Sequence, residues 1–117
     1  MIRTYRDLEV WQIGRQLVVA VYHLTQLLPP IEKFGLCSQM QRAAVSIPSN
    51  IAEGYARNNR REFRQFLRVA SGSRAELETQ LALCCDLGFL TSEQVAPLVE
   101  RLECLRRKLD NFQKALQ

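Results

Sequence analysis

Apolar residues recur at spacings of three and four along four stretches of this chain, and no stretch shows the clean alternation of a strand. That period gathers apolar side chains on one face of a helix. In the first stretch Val10, Ile13, Leu17, Val21, Leu24 and Leu28 form one stripe, and Leu8, Trp11, Val18 and Tyr22 form a second beside it. Thr4 and Asp7 have capping-box spacing, which predicts a start near residue 5, and Pro29-Pro30 stops the helix. The second stretch carries Met40, Ala43, Ala44, Ile47 and Ile51; Gly35 and Ser38 frame its start, and it ends at Gly54 or runs on to about Ala56. Pro48 lies inside it, lacks the N–H that the Ala44 carbonyl would accept, and is expected to kink the helix.

Asn59 and Glu62 repeat the capping spacing before a third stripe of Phe63, Phe66, Leu67, Ala70, Leu77, Leu81 and Cys84. That helix is expected to run to about Leu87 and stop at Gly88. Its middle reads Ser71-Gly72-Ser73, where small side chains would let a neighbouring helix come close. Thr91 and Gln94 then precede Val95, Leu98, Leu102, Leu105, Leu109, Phe112 and Leu116. The connections are short, and short connections make antiparallel neighbours. At 117 residues the chain holds one core, so residues 1–117 are expected to form a single all-α domain, an antiparallel up-down-up-down four-helix bundle. Apolar residues make up 47%, too many for a disordered tail. No apolar run reaches the roughly eighteen residues of a membrane span. Met1 to Leu17 lacks the apolar centre of a signal peptide, so a cytoplasmic location is expected, with no membrane partner.

The residues leave little room for catalysis. A carboxylate-bridged metal pair needs histidines three residues after glutamates, but the only histidine is His23 and Ala20 stands three residues before it. Cys37, Cys84, Cys85 and Cys104 include no Cys-x-x-Cys pair, so zinc spacing is missing and free thiols are expected. Ser46, Ser49, Ser71 and Ser73 sit in no nucleophile elbow. The glycines form no phosphate-cradling loop. Glu76 and Glu78, two apart, do not share a helix face. No enzyme activity, metal or other cofactor is therefore expected.

Charge is more informative. Seven arginines between Arg42 and Arg74 face only Glu53 and Glu62, a local +5 within a chain of net charge +4. Arg57, Arg60, Arg61, Arg64 and Arg68 follow spacings of three and four and predict a positive stripe along the first part of the third helix. A one-sided stripe of this kind suits nucleic-acid phosphates, and three readings fit it: RNA or DNA contact, pairing with carboxylates of a neighbouring subunit, and a solvated face. Beside it, Asn50 and Glu53 share a face of the second helix. The expected role of both is structural, with direct ligand contact as the alternative: Asn50 bridging backbone groups near Pro48, Glu53 pairing with an arginine of the third helix or capping its start. The surplus apolar face of the first helix, with Trp11 and Tyr22, points to a homo-oligomer.

These residues also carry a family resemblance. Tyr5-Arg6-Asp7-Leu8-Glu9-Val10-Trp11-Gln12 opens it, Phe34-Gly35-Leu36 continues it, and Gln39-Met40-Gln41-Arg42-Ala43-Ala44-Val45-Ser46-Ile47-Pro48-Ser49-Asn50-Ile51-Ala52-Glu53-Gly54 is its most specific part. Glu62-Phe63, Phe66-Leu67, Ala70, Gly72-Ser73 and Glu76-Leu77-Glu78-Thr79-Gln80-Leu81 extend it. The pattern, over about residues 3 to 90, resembles the bacterial four-helix bundle proteins encoded in intervening sequences of large-subunit ribosomal RNA genes. More distantly it is similar to the accessory variability protein of diversity-generating retroelements. The first resemblance implies a small cytoplasmic bundle, often pentameric, without an established biochemical role. The second implies a basic pentamer that works with a reverse transcriptase and nucleic acid, and by analogy RNA or DNA contact through Arg57, Arg61, Arg64 and Arg68. Gln41 departs from the family pattern, which commonly has a second arginine before Arg42; this removes one charge from the nucleic-acid case.

Overall fold

The four apolar stretches form four helices in a computed structural model that describes residues 1–117. They are α1 (Glu9–Thr25), α2 (Leu36–Ala56), α3 (Arg60–Asp86) and α4 (Ser92–Ala115), and there is no strand. α1 and α3 each pack against α2 and α4, while the diagonal pairs stay apart. The result is the antiparallel up-down-up-down bundle, with extents of 43 × 23 × 21 Å. Leu17, Met40, Ile47, Ile51, Leu67, Leu77, Leu81, Leu102, Leu105 and Leu109 are fully buried at its centre. No helix is long and apolar enough to cross a membrane.

Most helix boundaries follow their capping residues. Asn59 accepts the Glu62 N–H at 2.9 Å at the start of α3. Thr91 and Gln94 cap each other's backbone N–H groups at 3.2 and 2.9 Å at the start of α4. At the end of α3, Gly88 takes φ +77°, and the Phe89 N–H returns to the Cys84 carbonyl at 2.9 Å. That is a Schellman stop, which needs a residue tolerant of the left-handed region. Gly35 has no side chain with which to cap α2; Glu32, in the 3₁₀ turn Pro30–Glu32, accepts the Leu36 N–H instead at 3.1 Å.

α1 begins later and ends earlier than the sequence pattern predicts. The Thr4–Asp7 capping box exists, but it closes a separate 3₁₀ turn, Tyr5–Asp7, and Leu8 is extended. The reason is geometric. Leu8 and Val10 are both buried, yet two residues apart on one helix they would point to opposite faces. The break at Leu8 lets both enter the core. At the other end the chain tightens after Thr25 into i→i+3 hydrogen bonds that carry Leu28 inward before Pro29. α2 and α4 run on through Pro48 and Pro97. Pro48 rests against Gly14 of α1, where an added Cβ would lie 3.2 Å from Ile47 and 3.4 Å from Pro48.

The close approach between α2 and α3 is not at Gly72. That residue is exposed, and nothing lies within 4 Å of where its Cβ would be. The close approach is at Gly54, where a Cβ would fall 2.6 Å from the Phe66 Cβ and 3.0 Å from Phe63. The two glycines should therefore respond oppositely to alanine. Gly54→Ala is expected to lower stability by about 1–3 kcal/mol through overpacking. Gly72→Ala is expected to raise it by about 0.5–1 kcal/mol through helix propensity. Urea unfolding midpoints of the two variants check both signs.

Candidate nucleic-acid interface

The Arg57–Arg68 segment spans the turn between two helices, so its arginines do not form the single helical ladder that the spacing predicts. Arg57 terminates α2, Asn58 takes the left-handed conformation at φ 52°, Asn59 caps α3, and α3 begins at Arg60. Each arginine has a different fate. Arg57 pairs with Glu53 at 3.1 Å, both side chains being half exposed, and its guanidinium lies 5.1 Å from the centre of the Phe66 ring. Arg60 turns toward the far end of the chain. Its Nε and Nη2 donate to the carbonyls of Leu116 and Ala115 at 3.0 and 2.7 Å, closing the C-terminus of α4. Two of its donors are thus engaged within the fold.

Arg61, Arg64 and Arg68 make no ion pair. Their spacing of three and four is truly helical, so they share one face of α3. Arg61 and Arg68 are exposed. Arg64 is half-buried, and its Nε is closed off from solvent without a hydrogen-bond acceptor. A guanidinium has five donors in a fixed fork, so these three present a row of unfilled donors on the same surface.

The surrounding field has the same sign. Gly14 against Pro48, Ser46 bonded to Ser73, and Arg74 near Glu103 mark one level midway along the bundle. The end beyond it, with both chain termini and the α2–α3 turn, has eleven basic side chains against Asp7, Glu9, Glu53, Glu62 and Asp110, a net +6. The other end has five against seven, a net −2. The bundle is polarised along its length.

Asn50 and Glu53 take supporting places. Asn50 donates to the Ser46 carbonyl at 2.8 Å and to the Ser46 Oγ at 2.9 Å. Ser73 of α3 donates to the same Oγ at 2.8 Å, so the cluster, whose α2 members flank Pro48, ties α2 to α3. The carbonyl that Asn50 reaches is that of Ser46 rather than Ala44, whose usual donor Pro48 lacks. Glu53 does not reach α3; it pairs within its own helix, and Asn59 does the capping.

A second basic cluster stands out only in three dimensions. Tyr5 meets Trp11 edge to face at 5.2 Å, and the guanidiniums of Arg6 and Arg15 lie 5.3 and 5.5 Å from the Trp11 ring centre. The four-residue step from Trp11 to Arg15 was its one visible signal; the approach of Tyr5 and Arg6 depends on the 3₁₀ turn. Elsewhere, no group of three or more His, Cys, Asp or Glu side chains is placed to hold a metal ion. The four cysteines are free thiols. Burial, reinforced by Cys85, pushes Cys84 up to about 11, and burial also raises Cys37.

The fold and this surface define an antiparallel four-helix bundle with a strongly basic end. Residues 6–111 match the family described as 23S rRNA-intervening sequence protein, and the chain belongs to that family. No curated protein matches the chain.

Replacing Asn50 by leucine removes both donors to Ser46 and should cost about 1–2 kcal/mol, read as a shift in the urea midpoint. An unchanged midpoint would show that the Ser46–Asn50–Ser73 cluster adds nothing to stability. A thiol-titrating disulfide should react first with the half-buried Cys85 and Cys104 of the native protein. Cys37 and Cys84 should follow only on unfolding.

Proposed function

We propose that the basic end binds the phosphate backbone of RNA or DNA, with Arg61, Arg64 and Arg68 as the principal contacts and Arg57 and Arg60 at their edge. The supporting observation is the row of three guanidiniums without carboxylate partners, set within the half of the bundle that carries +6. Like charges three and four residues apart repel by a few tenths of a kcal/mol per pair. An external polyanion removes that repulsion and fills the open donors. Such contact fixes position on a backbone and carries no base sequence. The protein in this reading is a cytoplasmic, non-enzymatic accessory factor without a cofactor. It acts as a homo-oligomer, with the pentamer of the resembled families as the expected form. Symmetry then repeats a weak site several times on one particle, and linked weak sites reinforce one another.

A second reading has its own observation. The opposite end, where the α1–α2 and α3–α4 connections meet solvent, exposes Leu27, Ile31, Phe34 and Leu87, with Ile31 at 86% and Phe34 at 87%. Large apolar side chains left this open favour protein contact, so the chain can be read as a homo-oligomeric protein-interaction scaffold whose arginines pair across subunits.

One experiment separates the two. The nucleic-acid-free protein is titrated into labelled structured RNA, single-stranded DNA and duplex DNA at low and near-physiological salt. Anisotropy and particle mass are read together. Under the phosphate reading, Arg61→Gln/Arg64→Gln weakens binding by roughly tenfold or more at low salt. It also flattens the slope of log K against log salt by about 1.4–1.8, with helicity and mass unchanged. If the protein binds none of the three ligands at low salt, the phosphate reading fails. If the double variant loses mass instead, the arginines are assembly residues and the scaffold reading stands.

A further inference from the structure

The Trp11 cluster opens onto a cleft between α1 and α2 of about 540 Å³. Apart from Ser49 its helical lining is apolar: Val18 and Val19 from α1, Val45, Pro48 and Ala52 from α2. Its rim is cationic and aromatic: Arg6, Arg15, Tyr5 and Trp11. No carboxylate lines it, and neither arginine makes an ion pair. The space is an open groove rather than an enclosed pocket, and its lining joins apolar side chains with a few polar groups.

We propose that this cleft takes an unpaired nucleotide, its base against Trp11 and the valine wall and its phosphate on Arg6 and Arg15. The inference rests on the nucleic-acid reading and narrows it from any polyanion to a single strand. The argument is one of complementarity. The occupant must offer a flat apolar surface to the wall and negative charge to the rim, and a nucleotide offers both on one residue. A base within a duplex cannot enter, because its faces are already stacked; single strands are held by this combination of aromatic platform and basic groove. The rim is also prepared. The two guanidiniums gather at the Trp11 ring, which concentrates positive charge beside the proposed base, and turning to a phosphate costs each its contact with the ring. The capping box Thr4–Asp7 and the Gln12 side chain, which donates to the Arg6 carbonyl at 2.9 Å, hold the segment bearing Tyr5 and Arg6.

Trp11 is the only tryptophan, so its emission reports on this cleft alone. The test compares oligodeoxythymidylate, thymidine monophosphate and an abasic strand of equal length, each followed at low salt by Trp11 emission. Anisotropy of the two labelled strands is read in parallel. The expected result is saturable quenching by oligodeoxythymidylate and binding of the abasic strand without quenching. Trp11→Leu should weaken the oligonucleotide roughly tenfold while leaving the abasic strand within about twofold. Because Trp11 also packs against the core, Arg15→Gln provides a variant with the tryptophan retained; it should weaken quenching titrations by roughly three- to fivefold. Quenching by the monophosphate as well assigns the site to free nucleotides too; quenching by the strand alone assigns it to a chain. Oligonucleotide binding by anisotropy with no quenching overturns the inference and leaves the phosphate reading intact. No binding and no quenching overturns both. Emission that shifts to the blue as protein concentration rises, with lower particle mass in Trp11→Leu, gives the cleft to a second copy of the chain and also overturns it.

Discussion

At Gly54 the backbone of α2 lies against Phe63 and Phe66 with no room for a methyl group. Much of the basic end depends on that contact. It brings the end of α2 beside the first turns of α3, so the chain must reverse within the short turn of Arg57, Asn58 and Asn59. Tyr55, Phe63 and Phe112 then stack edge to face, at 6.0 and 5.2 Å between centres, and carry the contact from α2 through α3 to α4. With α4 held there, its last carbonyls come within reach of Arg60. The orientation of α3 about its own axis is fixed by the same rings. That orientation turns Phe63 and Leu67 inward and leaves Arg61 and Arg68 outward.

Concentrating arginine at one end works against folding, and the structure offsets only part of the repulsion. Arg57 has Glu53, in an exposed pair worth about 0–1 kcal/mol. Arg60 has the α4 C-terminus, where aligned carbonyl dipoles favour a cation. Arg106, deeper in the same half, has Glu103 and Asp110 on its own helix. Nothing comparable serves Arg61, Arg64 and Arg68. A surface shaped only for stability would place a glutamate four residues before one of them, as Glu53 stands before Arg57. That device is absent from the row itself, although it serves Arg57 beside it.

The fold was legible because its determinants are local. Apolar period, the caps at Asn59 and Thr91, and the stop at Gly88 each act within a few residues, and each operates as the sequence reading expects. The departures come from contacts between distant residues. No local rule says that Leu8 must be buried together with Val10, and that demand breaks the first helix. The choice of Gly54 over Gly72 for close packing depends on which face of α3 turns inward. The site divides in the same way. The row Arg61, Arg64 and Arg68 was visible as helical spacing. The different fate of Arg60 was not, because its acceptors lie 55 and 56 residues away. Nor was the Trp11 cleft, whose wall is shared by two helices and whose rim needs a 3₁₀ turn folded back on α1.

The lengthwise polarity bears on the two proposed readings together. Bundles that associate basic end to basic end would bring like charges together and bury guanidiniums that have no partners, which costs several kcal/mol apiece after relaxation. Association through the other end opposes far less charge and buries none of these guanidiniums. That end is net negative and presents Leu27, Ile31, Phe34 and Leu87. An assembly built there would cover its apolar side chains and leave each basic end in solvent, pointing away from the contact. Self-association and phosphate binding then use different ends of one bundle and do not compete. Each added protomer would bring another set of free arginines to the same particle without any change in the contacts that hold it together.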